Sequence, residues 1–418
     1  MFFTFLLLLL LGGTAFAYTG AGCAEGVPVG QVEIEGLSLT KEKVVTRELA
    51  LKPGVPYSDS LFEADARRLE RLDLFASISL TCEQAGASQN LTLNLTEIFP
   101  VIPASAGKRT DQDGLLLGLA LAFLNVGGND IRAEAQYRAS VSPPFEASEF
   151  AIYLSSPWFM DLPIDWNIDL VRTDSHDDLR GFHSKSWLAD LDVKWRFLDP
   201  FQLLFTTAYR YQENYGNIPE LGAGLAIDTR DSPTDTRRGF YEEFMLTQVG
   251  GVMDSPENYR EILFDTRASV SPYKHWVLGG SFLMRYRLGD VDFFDRFHHG
   301  GSNSFRGYEA DSSRHGESEI IMNFEERFIV LERVPITIVG VRLYYGLQLV
   351  AGLDGSVLWD GDEILEEDFA GAVYAGIHVL LPAIDRVRFE VGFAPDTGEP
   401  KIFIGLNEKN ISQRWRTR

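Results

Sequence analysis

Ile131-Arg132-Ala133-Glu134-Ala135-Gln136-Tyr137-Arg138-Ala139-Ser140 is two sequences interleaved. One face carries Ile131, Ala133, Ala135, Tyr137 and Ala139; the other carries Arg132, Glu134, Gln136, Arg138 and Ser140. Period two is the signature of a strand with one wet and one apolar face. The pattern recurs in Ile164, Trp166, Ile168 and Leu170 against Asp165, Asn167 and Asp169. It returns near the end in Val387, Phe389, Val391 and Phe393 against Arg386, Arg388, Glu390 and Gly392. A soluble sandwich alternates too, with its apolar faces turned into a core. Two features favour a membrane barrel: the pattern persists over about 300 residues, and its strands run to ~10 residues, enough to cross a bilayer when tilted.

Counting outward from these stretches gives about sixteen strands. They fall near residues 99–109, 114–125, 130–140, 147–157, 164–174, 185–197, 201–211, 221–230, 239–250, 259–270 and 275–288. A long connection follows, then 318–330, 337–350, 369–380, 386–394 and 400–407. The even number suits a closed barrel, because an open edge in lipid leaves backbone groups without partners.

The amino terminus sets the compartment. Phe5 to Leu11 is a short apolar core, Gly12 and Gly13 interrupt it, and Ala15-Phe16-Ala17 is an Ala-x-Ala cleavage site. Residues 1–17 therefore read as a signal peptide, although no Lys or Arg precedes the core. A net charge of −22 argues against nucleic acid as a partner. The two cysteines, Cys23 and Cys82, both lie early in the chain. After export, a disulfide and two separate thiols both fit them.

Residues 28–98 follow other periods. Val29 to Leu37 alternates as a strand, and Thr40 is placed to cap a short helix bearing Val44, Val45 and Leu49. A second helix runs from about Ser60 to Leu72, with Leu61, Ala64, Leu69 and Leu72 on one face. Two strands close the unit, one around Ile78 and Leu80, the other through Leu91, Leu93 and Leu95. The expectation is a small α+β domain with a three-stranded sheet, ahead of a barrel over residues 99–418.

Here a family resemblance enters. Val32-Glu33-Ile34-Glu35-Gly36, Leu51-Lys52-Pro53-Gly54-Val55-Pro56-Tyr57 and Arg68-Leu69 leading to Leu74-Phe75 resemble a POTRA domain. Gly300-Gly301-Ser302-Asn303-Ser304-Phe305-Arg306-Gly307-Tyr308 resembles the lumen-loop signature of the BamA/TamA superfamily, with Phe305 where an aliphatic residue is more usual. Leu353-Asp354-Gly355 is similar to that family's wall motif, although the glycine follows the aspartate directly. Three further stretches look like family turns. They are Asp228-Thr229-Arg230-Asp231-Ser232-Pro233 with Arg238-Gly239, Asn125-Val126-Gly127-Gly128, and Ser156-Pro157-Trp158-Phe159. Their physical role reads as plain hairpin chemistry.

The resemblance implies a bacterial outer-membrane protein with its POTRA-like domain in the periplasm. Its role would be to assemble or translocate proteins, with clients captured by the POTRA-like domain. A dedicated secretion pore and a passive channel are the alternatives. Implied partners are outer-membrane lipid, unfolded outer-membrane or secreted clients, and periplasmic accessory proteins. Arg306, Gly307 and Tyr308 would form the loop tip inside the barrel. A guanidinium there needs a carboxylate, and Asp354 and Glu326 are the candidates. His298 and His299 read as plain loop residues. No nucleophile elbow, phosphate loop or zinc spacing is present, so no enzymatic activity, cofactor or metal is expected.

Overall fold

The computed structural model describes residues 20–110, 114–141, 147–177, 182–232, 235–292, 295–301, 304–308, 314–338, 340–361, 364–365, 368–382 and 384–408. Residues 1–17, expected to be a signal peptide, lie outside them, as do residues 411–418, Ser302, Asn303 and Pro233.

The small domain contains β1 (Val29–Glu35), α1 (Glu42–Thr46), α2 (Asp59–Leu72), β2 (Phe75–Ala85) and β3 (Ser88–Glu97). Its sheet runs β1-β3-β2, with β1 parallel and β2 antiparallel to the central β3. Val44, Val45, Phe62, Ala66, Leu69, Leu91 and Leu93 form its core. The buried face of α2 is rotated from the expected one: Phe62 and Ala66 point inward, whereas Leu61 and Ala64 are half-buried. The buried Asp65 causes the rotation, since it accepts from the backbone N–H groups of Ala50 and Leu51 at 2.9 Å each. Ser58 caps α2 through Leu61 N–H. Thr40 does not cap α1. The N-cap is Lys41, and the Thr40 hydroxyl accepts from Asn125 Nδ2 at 2.8 Å instead.

The rest of the chain is one sixteen-stranded antiparallel sheet. Its first part comprises β4 (Val101–Thr110), β5 (Gly114–Phe123), β6 (Arg132–Ser140), β7 (Ser148–Ser156), β8 (Ile164–Asp177) and β9 (Phe182–Leu198). Then come β10 (Phe201–Gln212), β11 (Gly216–Asp228), β12 (Gly239–Gly250), β13 (Asn258–Tyr273) and β14 (Trp276–Asp290). The long connection holds the two-residue strands β15 (Phe297–His298) and β16 (His315–Gly316). The sheet resumes with β17 (Ser318–Ile338), β18 (Val341–Trp359), β19 (Phe369–Leu380), β20 (Ile384–Phe393) and β21 (Pro400–Glu408). Each strand pairs with its neighbour in sequence, β14 pairing directly with β17.

Burial separates the barrel from a sandwich. In β6 the polar face, Glu134, Gln136 and Arg138, is buried, whereas Tyr137 is 54% exposed. Leu119, Leu221 and Ile402 are more exposed still, while Glu243, Glu261, Asp265, Arg285 and Arg287 are buried. Polar-in and apolar-out is the arrangement of a barrel in lipid, because the lumen rather than an oily core receives the charges.

The hairpin β17–β18 departs from the expected bounds. The sequence reading ends the first strand near 330, but the pairing continues to Ile338↔Val341, with register shifts at 329–334. β17 pairs with β14 only as far as Phe328↔Trp276, so the end of this hairpin projects beyond the neighbouring strands toward the small domain. Tyr344 there joins the small domain's hydrophobic core, as do Ala122 and Leu124 at the end of β5.

Candidate functional site

The connection from β14 to β17 folds into the barrel and presents Arg306 to its inner wall. Gly301 N–H donates to the Tyr308 carbonyl at 2.8 Å, which ties these two residues together at the base of the tip. Phe305 and Tyr308 pack on Ala372 of β19 and on Ala394 just past β20. The approach is close enough to require glycine: a Cβ on Gly392 would sit 1.8 Å from the Arg306 carbonyl oxygen. The tip therefore seats on β20 by backbone contact.

Arg306 is 6% exposed and almost fully committed. Its backbone N–H and Nε both donate to Asp354 Oδ2, at 3.0 and 2.8 Å, and Nη2 donates to Oδ1 at 2.7 Å. Nη1 donates to Glu390 Oε1 at 2.9 Å, and Glu325 Oε2 lies 3.9 Å away. The guanidinium carbon stands 3.2 Å from the centroid of the Tyr374 ring. Three strands thus converge on one cation: Glu325 from β17, Asp354 from β18 and Glu390 from β20. Asn323 Nδ2 donates to Asp354 Oδ1 at 2.6 Å, and His378 Nε2 lies 2.9 Å from Glu390 Oε1. A fork paired on two edges is the geometry for which arginine, not lysine, is suited.

Of the two carboxylates named from sequence, the structure brings Asp354 to Arg306 and leaves Glu326 apart. Glu326 shares the outward face of β17 with Phe324 and Phe328, which are exposed. Its neighbour Glu325 faces the lumen. A one-residue step along a strand exchanges the faces. Tyr308 donates its hydroxyl to Asp396, in the turn between β20 and β21. The loop tip is thereby tied to the last hairpin of the sheet.

His299 is more than a loop residue. It is fully buried, with Nε2 2.6 Å from Glu319 Oε2 and Nδ1 in contact with the Ser356 hydroxyl. His298 points away and faces the His315 ring at 5.8 Å. Glu325, His378 and Glu390 lie close enough together to resemble a metal cradle. Arg306 and Arg386 already occupy that space, so the group reads as part of the arginine network.

The turns used above only as sequence markers prove to be contact points. Asp231 does perform turn chemistry, accepting from Ser232, Arg237 and Arg238 N–H groups. Asp235 in the same β11–β12 turn reaches across to the other side of the barrel. It accepts from Arg327 Nη1 at 2.9 Å, Gln348 Nε2 at 2.9 Å and Arg386 Nη2 at 3.3 Å. Burial opposes ionisation of Asp235, but Arg327, Arg237 and Arg386 outweigh it and hold this carboxyl below the usual carboxylate range. Sequence gave no sign of this span, because its partners lie about 90 to 150 residues away along the chain.

The other two turns hold the small domain. Gly128 accepts from Lys41 N–H at 3.0 Å, and its φ of +72° lets it pass where a Cβ would meet the Leu39 carbonyl at 2.1 Å. Asp130 pairs with Arg47 at 3.2 Å, and Trp158 Nε1 donates to Glu48 at 3.1 Å while Arg47 lies over its ring. On the opposite side, Arg67 donates to Glu332 at 3.1 Å and Tyr344 donates its hydroxyl to Asp73. The small domain is thus clamped at both ends beneath the barrel mouth.

Residues 27–97 match the POTRA family model, described as a surface antigen variable number repeat, and residues 217–330 match the Omp85 superfamily domain. The chain joins a POTRA domain to an Omp85-superfamily barrel. It is an outer-membrane protein with its POTRA domain in the periplasm. Among solved structures it is similar to CdiB from Escherichia coli, with a TM-score of 0.60 at 13% identity over 92% of this chain and 75% of that one. It is also similar to CdiB from Acinetobacter baumannii, with a TM-score of 0.55 at 12% identity over 88% and 70%. The crystal structure of BamA from Haemophilus ducreyi lacking POTRA domains 1–3 aligns with a TM-score of 0.51 at 11% identity, over 91% of this chain and 83% of that one. These likenesses concern the fold. No curated protein sequence matches the chain. The general role of this Omp85-superfamily barrel is protein insertion into, or translocation across, the outer membrane.

Proposed function

We propose that this Omp85 barrel is a non-enzymatic assembly factor that inserts client β-strands into the outer membrane at the seam between β4 and β21. The observation that carries the reading is the order of the sheet. It begins at β4 and ends at β21, and among the described residues no register joins the two. Unpaired strand edges in lipid are costly, so such a seam favours any strand that supplies the missing N–H and C=O partners. Pairing there proceeds downhill and requires no nucleotide. The POTRA sheet offers a second edge, where an extended client gains backbone bonds without a fixed sequence.

The filling of the lumen supports lateral insertion over a passive channel. The Arg306 loop occupies it from one side, the Asp235 turn spans it from the other, and the POTRA domain lies beneath. The test is insertion of an unfolded outer-membrane barrel into liposomes holding the purified protein, measured together with ion conductance. Accelerated client folding, abolished by cysteine crosslinks between β4 and β21, is expected. Conductance with no acceleration would replace this reading with a secretion pore or a passive channel.

A further inference from the structure

The POTRA sheet has two edges, and its own chain covers part of each. On β1, Gly54 N–H donates to the Val29 carbonyl at 2.8 Å and Val29 N–H donates to the Val55 carbonyl at 2.9 Å. On β2 the cover comes from the residues ahead of the domain. Ala21 N–H donates to the Leu80 carbonyl at 2.9 Å, and the Ala21 carbonyl accepts from Cys82 N–H at 3.0 Å. This is a one-residue parallel bridge opposite Thr81. Two residues on, Cys23 is joined to Cys82 by a disulfide. Gly22, at φ +76°, bends the chain over the Cys82 carbonyl, and Gly20 N–H donates to the Tyr57 hydroxyl at 3.1 Å. β2 also lies against β17 and β18.

We propose that Gly20–Cys23 is an internal stand-in for a client strand, clipped to the β2 edge by Cys23–Cys82, and that β2 accepts an extended protein strand once the clip is opened. This rests on the client-handling reading above and deepens it. Leu80 and Cys82 present backbone groups to the edge, so by the two-residue repeat Ile78 and Gln84 do as well. A client strand can engage all four positions, whereas the segment engages two. Two backbone hydrogen bonds scarcely offset the ordering of four residues. The disulfide compensates by keeping the segment at high effective concentration beside the edge. Both cysteines are only half-buried, so a dithiol can reach them. Its thiolate attacks one sulfur and its second thiol displaces the mixed disulfide. The dithiol leaves as a disulfide, and its two electrons and two protons stay on Cys23 and Cys82 as thiols.

The test uses the full chain in nanodiscs and a dye-labelled peptide of the chain's own last strand, Pro400–Glu408, as the probe. Four forms are compared: oxidised wild type, dithiothreitol-treated wild type, the double variant C23S/C82S, and Ala21→Pro, which removes the N–H donated to Leu80 but keeps the disulfide. The opened forms should bind the peptide at least ten-fold more tightly than the oxidised protein, with Ala21→Pro in between. Amide exchange at Cys82 should be slow in the oxidised protein, fast in the opened forms, and slow again with peptide. Exchange along β3 reports whether the domain stays folded, and Ala21→Pro decides the matter if the double variant does not. Equal affinity in every folded form, or photo-crosslinks that map away from β2, overturns the proposal. If peptide affinity never changes while client insertion proceeds, this inference fails and the proposed function stands. If opened forms bind the peptide but no form aids insertion, the reverse holds.

Discussion

Arg306 shows how a single cation can organise three strands. Its side chain makes two bonds to Asp354 and one to Glu390 where water is largely excluded, so removing it takes the paired cation from two buried carboxylates. Breaking a buried pair from one side typically costs about 3–5 kcal/mol. Arg306→Ala should therefore give a barrel that folds but loses its heat-resistant mobility on semi-native gels at a lower temperature, with reduced insertion activity. Arg306→Lys should recover little of this, because a point charge cannot serve Asp354 and Glu390 together. Wild-type heat resistance and activity in Arg306→Ala would refute the assignment. At this scale the sequence was partly legible. Arg306 and Asp354 could be named because short motifs mark them. Glu390 could not, because lumen neighbours are set by register between strands. Glu326 was named in place of Glu325 because adjacent glutamates differ only in which face they occupy.

At the scale of elements, strand positions follow from alternation, and most observed bounds fall within a few residues of the expected ones. The hairpin β17–β18 is the exception, and its excess length serves the POTRA dock. Glu332 receives both Arg67 of α2 and Arg237 of the β11–β12 turn, at 3.1 and 2.6 Å. Glu332→Arg should place like charges together and loosen the dock, and Arg67→Glu in the same chain should restore part of it. Limited proteolysis between the POTRA domain and β4 reads the change, and unchanged cleavage in Glu332→Arg would remove this hairpin from the dock. Sequence could not show the dock, since both halves read locally as ordinary strand and helix.

A second element-scale prediction concerns acid. Glu97, at the end of β3, accepts from the N–H groups of Ser38, Leu39 and Thr40, the last at 2.7 Å. Burial pushes its carboxyl up, but the hydrogen bonds from Ser38, Thr40 and Leu39 prevail and hold it below its ordinary value. A depressed carboxyl stabilises the fold above its unfolded-state pKa, and that stability disappears as pH falls through the folded-state value. POTRA stability, followed by amide exchange in β3, should thus decline as pH drops through and below the ordinary carboxylate range. Glu97→Gln should lower it at neutral pH by about 1.5–3 kcal/mol and flatten the acid dependence. An unchanged slope in Glu97→Gln would assign the acid sensitivity to other groups.

For the whole molecule, the decisive fact is that the charges are inside. Alternation in Ile131–Ser140 fixed two faces but not which one meets water, and burial of Glu134 against exposure of Tyr137 settles that for lipid. Once the lumen is polar, its occupants determine what can pass. The Arg306 loop ties β17, β18 and β20 together from the outer side. Asp235 ties the β11–β12 turn to β17, β18 and β20 from the periplasmic side. Both ties converge on β17, β18 and β20, so that part of the wall is braced from its two ends. Asp235→Ala removes only the inner tie and leaves Arg327 and Arg386 facing each other with less negative charge between them. Mutual repulsion should then displace the turn, and conductance across planar bilayers should rise several-fold while the Arg306 tie preserves heat resistance. A barrel whose conductance is unaffected by Asp235→Ala would show that the POTRA domain beneath, rather than this turn, closes the lumen. Deleting the Arg67 and Tyr344 contacts should then raise conductance instead.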